Sequence, residues 1–464
     1  MYSSDYRINT SLKQLVQLAL PVIATSFMSM AYNFINMIFV GRLGSDAVAA
    51  VGSAGFFMNL SWGISSLLTV GAGIKVSHSI GEKNIQLSRS YVRSGLQVII
   101  LIAVFYYLIL VAASKHLIHV IGLNNPQIED SAAEYLVIIG LNILFNFQNL
   151  FFTSVFIGYG DSKTSFRINS TAVVLNMILD PVLIFIAGLG IKGAAIGTVL
   201  SQAVATVLFY RKLFQRPELN PRGVAFRNDL LKKIFMLGIS PTIQRVSFTI
   251  IAISMARIIS GWGPAAIAVQ KVGIQIEAIS YMTAGGFMSA LSSISGKAYG
   301  ARNFDKQWRV FCAGMVLAVI IGLFTSMILI AFPGTLFSLF LNDAKSLSMG
   351  REYLVILGYS QLFMCLELMA TGAFFGWGKT NIPAITGITL TLLRIPMALA
   401  FIHFWRHSLS SVWWSISISS MAKGIILVAL FIFLFKYFIR NQQSFSYETK
   451  LLHSGSTNPK SEKN

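Results

Sequence analysis

Residues 156–164 read FIGYGDSKT, and residues 374–380 read FFGWGKT, so one short motif returns about 218 positions later. Nearly the same shift aligns AVAAVGSAGFFMNLSWG, which starts at Ala47, with AIAVQKVGIQIEAISYM, which starts at Ala266. The repeat also matches Gly81 with Gly300, Asn84 with Asn303, Pro21 with Pro241 and Pro181 with Pro396. A repeat on this scale predicts that the chain consists of two similar halves.

The composition is that of a membrane protein. The chain has 464 residues, of which 55% are hydrophobic and only 11% are charged, and its mean hydropathy is +0.68. Soluble domains carry about 25% charged residues, so this chain has too few charges to cover a surface that faces water. The apolar surplus therefore predicts a polytopic integral membrane protein.

The number of spans follows from segment lengths, because a helix needs about 20 apolar residues to cross a bilayer. Twelve stretches qualify, near residues 13–40, 46–74, 89–113, 133–157, 166–187, 190–210, 233–258, 264–291, 309–332, 352–375, 382–404 and 410–438. Six spans in each half predict parallel repeats, which are typical of transporters that alternate access. The predicted fold is all-α, with twelve transmembrane helices in two pseudo-symmetric six-helix lobes around a central cavity. A duplication that built only a structural bundle is the alternative.

The predicted spans divide the chain into four parts. They are an amino-terminal lobe at 1–213, a basic cytoplasmic linker at 214–232, a carboxy-terminal lobe at 233–438 and a polar, disordered tail at 439–464. The start of the chain has no short apolar region with a small-residue cleavage site, so no removable signal is predicted.

The basic residues predict the orientation. The net charge is +19, from 36 Lys and Arg against 17 Asp and Glu. Loops on the side of both termini hold 24 of the bases and the opposite loops hold seven. The positive-inside rule therefore places both termini in the cytoplasm and the protein in the cell membrane. No basic face with aromatic platforms occurs in the sequence, so nucleic acid is not an expected partner.

Four motifs resemble those of a known family. They are YNFINMIFVGRLG at residues 32–44, GYGDSKT at 158–164, NMILDP at 176–181 and AYGARN at 298–303. Together they resemble the multidrug and toxic compound extrusion transporters, and in particular the branch related to the DNA-damage-inducible protein F. The resemblance runs from about Leu12 to Lys436. It implies twelve spans in two lobes and export of amphipathic, mostly cationic compounds in exchange for Na⁺ or H⁺.

Ionisable residues deep inside spans are functional candidates, because a charge at mid-membrane costs about 2.5–3.5 kcal/mol. Seven such residues are present: Asp180, Glu277, Glu367, Arg245, Lys271, Arg394 and Lys423. Asn176 precedes Asp180 by one helical turn and Pro181 follows it, so oxygen ligands and a loosened backbone come together. This group suits a small cation or a proton. A structural hydrogen bond at Asp180 is the alternative.

The family resemblance extends this group to four residues. Relatives in this branch place a cation site on a first-helix acid, a fifth-helix Asn and Asp, and a sixth-helix Thr. Those positions correspond to Asn36, Asn176, Asp180 and Thr198, and they form the tentative Na⁺ site. Asn36 replaces the acid, so it can offer a carbonyl oxygen to Na⁺ but cannot take up a proton.

A second group of residues is predicted to face substrate in the central cavity. Its members are Tyr32, Gln244, Arg245, Glu277, Met282 and Arg394. If the second-half bases face the cavity, that half is polar and basic and suits an anionic or zwitterionic amphipath. The alternative is that Arg394 and Lys423 pair with the two glutamates or reach toward an interface.

The predicted function is cation-coupled export of small amphipathic organic compounds. The sequence contains no P-loop, HExxH or GxSxG motif, so neither an enzyme nor a cofactor is predicted. The expected partners are those compounds and membrane lipid, and the protein is expected to act as a monomer. Two alternatives remain at this point, a flippase of lipid-linked sugars and a membrane receptor or scaffold without transport.

Overall fold

The structure is a computed structural model that describes residues 2–121, 123, 125–341, 343–404 and 408–454, with side chains described between 9 and 440. These residues form helices and no strand. In the first half the helices are α1 (Tyr2–Gly41), α2 (Ser45–Gly81), α3 (Ile85–Ile121), α4 (Pro126–Gly140), α5 (Asn142–Tyr159), α6 (Ser162–Pro181) and α7 (Gly190–Phe214). A π-helical turn, Val182–Ile186, continues α6.

The second half repeats this order. It contains α8 (Asn228–Ile259), α9 (Pro264–Gly300), α10 (Phe304–Ala331), α11 (Pro333–Ser338), α12 (Ala344–Gly358), α13 (Gln361–Trp377), α14 (Asn381–Leu392), α15 (Arg394–Phe404) and α16 (Leu409–Ser454). The pairs α4–α5 and α12–α13 occupy equivalent places and bend by 42° and 47°. Each half therefore has six helical units in the same sequence.

Eleven of these twelve units are long and apolar enough to cross a membrane. Within the described residues, nine helices meet that test, and the two bent pairs raise the number to eleven. The remaining predicted span corresponds to α9, an unbroken helix of 37 residues that carries Gln270, Lys271, Gln275 and Glu277. The all-α membrane fold with two halves is confirmed, and among the described units α9 is the one that does not meet the test.

Two predicted boundaries differ from the structure. The linker runs only from the end of α7 at Phe214 to the start of α8 at Asn228. The predicted disordered tail is helical as far as Ser454, and residues 455–464 lie outside the described part. No glycine or proline occurs between residues 425 and 454, so nothing stops the helix from propagating.

The first helix of each half packs partly into the other half. Leu15 and Ile23 of α1 are buried in a core built by α9, α10, α13 and α16. Leu230 and Ile234 of α8 are buried in the core of the first half. The sequence divides into halves near residues 213–233, but the packed cores do not divide there. The first helix of each half starts within the core of the other half.

The two halves meet where the ends of α2 and α9 cross. A Cβ added to Gly81 would lie 2.1 Å from the carbonyl oxygen of Lys297, and one added to Gly300 would lie 2.1 Å from that of His78. The two glycines therefore have equivalent positions, as the repeat predicts. Each is needed because the backbones of α2 and α9 come too close at the crossing to leave room for a side chain. The left-handed backbone lies two residues after each glycine, at Lys83 and Arg302, with φ of 57° and 52°.

Replacing either crossing glycine by valine should cause similar damage. In Gly81→Val and Gly300→Val the new side chain meets backbone that cannot yield, at a cost of at least about 1–3 kcal/mol. We expect both variants to have a lower midpoint of thermal unfolding in detergent. Size-exclusion chromatography after heating measures the fraction that stays folded. Gly55→Val and Gly285→Val are matched controls on the same helices, because no atom lies within 4 Å of a Cβ there. Full tolerance at one crossing glycine alone would contradict the pseudo-symmetric packing.

Candidate functional site

The end of α6 is shaped by a proline and by two glycines that face it. Pro181 has no N–H to donate, and the π-helical turn Val182–Ile186 follows directly. A Cβ on Gly193 of α7 would lie 2.6 Å from the carbonyl of Leu183, and one on Gly197 would lie 2.5 Å from Oδ1 of Asp180. The two glycines therefore let α7 approach α6 where its polar side chains point inward.

Four polar side chains from three helices meet at this place. The Tyr32 hydroxyl of α1 donates to Oδ2 of Asp180 at 3.2 Å and lies 3.5 Å from Oγ1 of Thr198. The Asn176 amide donates to the Tyr32 hydroxyl and to Thr198 Oγ1, the latter at 3.3 Å. Asp180 is fully buried and Asn176 nearly so. We call these four residues the first-half site.

Oxygen atoms without partners distinguish this site from an ordinary hydrogen-bonded cluster. Oδ1 of Asp180, Oδ1 of Asn176 and Oδ1 of Asn36 are buried and have no hydrogen-bond partner in the described chain. A buried acceptor without a partner costs about 1–3 kcal/mol. Within the described residues, Asp180 also lacks an ion pair with a basic side chain. The site therefore has several oxygen ligands, one of them from an acid, that the described residues leave unsatisfied.

The structure brings together most of the predicted cation ligands. Asn176, Asp180 and Thr198 converge as expected, and Asn36 lies one helical turn beyond Tyr32 on the same face of α1. Tyr32, predicted as a substrate-cavity residue, is half-buried and contacts the other members of the first-half site. The role of Gly197 has no signal in the sequence, because only the packing of α7 on α6 places it against the carboxylate.

The second half holds a buried ion pair. Lys423 of α16 lies 3.0 Å from Oε2 of Glu367 in α13, and both side chains are at most 10% exposed. The ammonium also lies 5.4 Å from the centre of the Phe248 ring. The alternative in which Lys423 pairs with a glutamate therefore describes this residue correctly. These two charges neutralise each other, whereas Asp180 has no basic partner among the described residues.

Arg394 and Glu277 lie beside that pair. The Arg394 guanidinium donates to Ser419 Oγ at 2.6 Å and to Ser420 Oγ at 2.9 Å. Glu277 of α9 is half-buried, and its Oε1 has no hydrogen-bond partner among the described residues. The acids and bases of this cluster are therefore nearly balanced, and the buried charges give no excess of positive charge.

The remaining cavity candidates are more accessible. Gln244 packs on α14, where a Cβ added to Gly387 would meet its amide nitrogen at 2.3 Å. Met282 is half-buried, whereas Arg245 and Lys271 are exposed. Among the described residues no three His, Cys, Asp or Glu side chains converge on a metal position. A cation would therefore depend on amide and hydroxyl oxygens beside a carboxylate.

Comparisons with known proteins agree with this fold. The MatE family model matches residues 21–182 and 242–400. A probable multidrug resistance protein NorM of Thermotoga maritima is 27% identical over 415 residues, which cover 86% of this chain and 88% of that protein. The multidrug export protein MepA of Staphylococcus saprophyticus is 22% identical over 416 residues, which cover 88% and 90%.

Solved structures share the arrangement of helices. A crystal structure of MATE in the straight conformation superimposes with a TM-score of 0.86 at 22% identity, over 93% of this chain and 97% of that one. An outward-facing multidrug resistance MATE family transporter gives a TM-score of 0.84 at 22% identity, over 92% and 96%. At this identity the likeness concerns the fold.

The buried ion pair offers a test of the second-half cluster. Glu367→Gln or Lys423→Met leaves one buried charge without its partner, so we expect each to destabilise the protein by about 3–5 kcal/mol. The double variant removes both charges and should unfold at a higher temperature than either single variant. Thermal unfolding in detergent measures this. The exposed pair Lys115–Asp130 is the control, and Lys115→Met or Asp130→Asn should change little. Additive losses in the buried double variant would contradict the pairing.

Proposed function

The chain belongs to the MatE family of multidrug and toxic compound extrusion transporters, and from this premise we propose that it exports small amphipathic organic compounds in exchange for a cation held at Asp180. Relatives that match most of its length bear the names of multidrug resistance and export proteins. The family and the site support the same kind of transport, in which one half supplies the ion site.

The observation that carries the proposal is the contrast between two buried acids. Glu367 has a basic partner at 3.0 Å, whereas Asp180 is fully buried with one carboxylate oxygen unbonded. An ionised group without compensation in an apolar interior is costly, so a mobile cation is the partner that Asp180 lacks. The coupling ion therefore binds as part of the transport cycle and is not a resident cofactor.

The ligand atoms favour Na⁺ over a proton. The carboxylate of Asp180 and the amide carbonyls of Asn176 and Asn36 each have an unpaired oxygen. Carboxylate and carbonyl oxygens suit hard cations, and one Na⁺ satisfies several of them together. A single proton would satisfy fewer, and Asn36 cannot bind one.

Coupling follows from the position of the site. Asp180 lies directly before Pro181 and the π-helical turn, and Tyr32 links it to α1, the helix that also packs into the second half. A bound cation changes the charge at this junction, so α1 and α6 pack differently with and without it. Because a ligand shifts an equilibrium only through different affinities for two states, cation and substrate must favour opposite states of the halves.

The charge balance of the second half bears on the substrate. Glu367 neutralises Lys423, and Glu277 lies near Arg394, so little net charge remains inside. Gln244, Arg245 and Met282 are the more accessible candidates for the cavity wall. An adaptable wall with one exposed base suits amphipathic compounds without a requirement for an anion. We further propose that the transporter works as a monomer.

Replacing Asp180 tests the ion site directly. Asp180→Asn keeps the size and a hydrogen-bond acceptor but removes the charge, so Na⁺ binding should be lost. In proteoliposomes we expect ethidium efflux driven by a Na⁺ gradient to fall at least about tenfold, since more than 1.4 kcal/mol of ion binding is removed. Stabilisation of the detergent-solubilised protein by NaCl relative to KCl should disappear as well.

Asp130→Asn is the matched control, because this acid of the same half is exposed. It should retain both responses to Na⁺. If Asp180→Asn folds and still shows Na⁺-driven efflux at the normal rate, the first-half site is not the coupling site and Glu277 is the next acid to test.

Asn36 separates the two coupling ions. Asn36→Ala removes an oxygen ligand and should weaken the dependence on Na⁺, while Asn36→Asp adds a group that can bind a proton. We expect the second variant to gain efflux driven by a pH gradient, measured with ethidium at fixed Na⁺. Unchanged Na⁺ dependence in Asn36→Ala would show that this residue is not a ligand of the cation.

The orientation can be tested with two single cysteines. In a Cys312→Ala/Cys365→Ala background, Gln215→Cys lies after α7 on the side of the termini and Gly261→Cys lies between α8 and α9 on the other side; both positions are exposed. In intact cells an impermeant maleimide should label position 261 and not 215. The reverse pattern would overturn the cytoplasmic placement of the termini.

A further inference from the structure

Helices α5 and α13 end in the same way. Gly160 and Gly378 follow their last residues in the left-handed conformation, with φ of 91° and 78°. At the end of α5 the N–H of Gly160 donates to the carbonyl of Ile157 at 2.9 Å, and that of Asp161 donates to Phe156 at 2.8 Å. At the end of α13 the N–H of Gly378 donates to Phe375 and that of Lys379 donates to Phe374, both at 2.9 Å. This is the Schellman motif, and it leaves the last two carbonyls of each helix without a backbone donor.

Side chains from the opposite half bind those remaining carbonyls. The Lys297 ammonium of α9 donates to the carbonyl of Tyr159 at 2.5 Å and lies 5.6 Å from the centre of its ring. Ser293 of α9 donates to the carbonyl of Ile157 at 2.5 Å and also lies 3.2 Å from that of Gly158. His78 of α2 lies 2.8 Å from the carbonyl of Gly376 through Nε2, which must donate because a carbonyl can only accept.

The two contacts are related by the internal repeat. The shift that relates Gly81 to Gly300 also relates His78 to Lys297. The acceptors lie in the matched motifs FIGYGDSKT and FFGWGKT. Lys297 of the second half thus donates to the end of α5, and His78 of the first half donates to the end of α13, close to the crossing of α2 and α9. Neither donor belongs to the first-half site or to the second-half cluster.

We propose that His78 and Lys297 are gating residues, a symmetric pair of latches that hold the halves together at the end where the termini lie. This inference rests on the proposed alternating access. The carboxyl end of a helix attracts a cation, and polar groups buried between the halves need partners. When the halves separate, water replaces the lost contacts at both donors and carbonyls. The latches therefore stabilise one state of the transporter and release without leaving an orphaned group.

The two latches have unequal strength. Lys297 makes a charge-assisted hydrogen bond, which is roughly twice as strong as a neutral one. His78 makes a single hydrogen bond to the other half. Its ring also packs against that of Tyr299, which belongs to the same half as Lys297, at 4.9 Å between centroids. Loss of Lys297 should therefore open this end more than loss of His78.

The test measures the distance between the halves. Spin labels at Lys163→Cys and Lys379→Cys, both exposed and both within the two repeated motifs, report the separation in a Cys312→Ala/Cys365→Ala background. Double electron–electron resonance in detergent needs neither substrate nor an ion gradient. We expect the ratio of long to short distances to rise about tenfold or more in Lys297→Met and by a smaller factor in His78→Leu. The double variant should show the product of the two factors.

Two further variants keep the interpretation specific. Lys297→Arg retains a charged donor and should stay close to the parent distribution, while Lys83→Met removes an exposed lysine at the end of α2 and should change nothing. Unchanged distances in Lys297→Met, His78→Leu and their combination would overturn the latches, as would an equal shift in Lys83→Met. Because the distances are measured without transport, normal transport by Asp180→Asn would refute the coupling site and leave this result standing.

Discussion

In the hydrocarbon of a bilayer no water satisfies a buried polar group, so the protein must supply every partner itself. This constraint explains the helical fold, and it also explains how the ends of helices are treated where they meet other helices. The free carbonyls of α5 and α13 receive donors from the opposite half. Contact between the halves is therefore part of how the backbone is satisfied, and glycines at the crossing of α2 and α9 permit the approach.

The same constraint separates structural charges from functional ones. Glu367 and Lys423 satisfy each other in the second half, so their burial contributes to the architecture. At the first-half site the protein leaves an oxygen of Asp180 and one of Asn176 unpaired. An exchangeable ion requires such oxygen atoms, because it binds where hydrogen-bond donors are missing. The two halves share a fold by repetition, and they differ in that the described residues of the second half form a buried ion pair, Glu367 with Lys423, whereas Asp180 of the first half is in none.

Much of the site was predictable because its ligands lie close together along one helix. Asn176, Asp180 and Pro181 fall within two turns of α6, so their shared face follows from helical periodicity. The roles of Tyr32 and Gly197 were not predictable in this way. They depend on how α1 and α7 pack on α6, which no local pattern encodes. The partner of Lys423 was similarly open between an interface and a glutamate until α13 and α16 were placed together.

The sequence by itself determined the membrane class, the division into two halves and the equivalence of Gly81 with Gly300, because composition and repetition are properties of the chain. The packing decided the rest. It places the starts of α1 and α8 in each other's half, sets His78 and Lys297 against distant carbonyls, and leaves Asp180 without a basic partner among the described residues. These features depend on distances between residues far apart in the chain, and only the folded arrangement of helices fixes such distances.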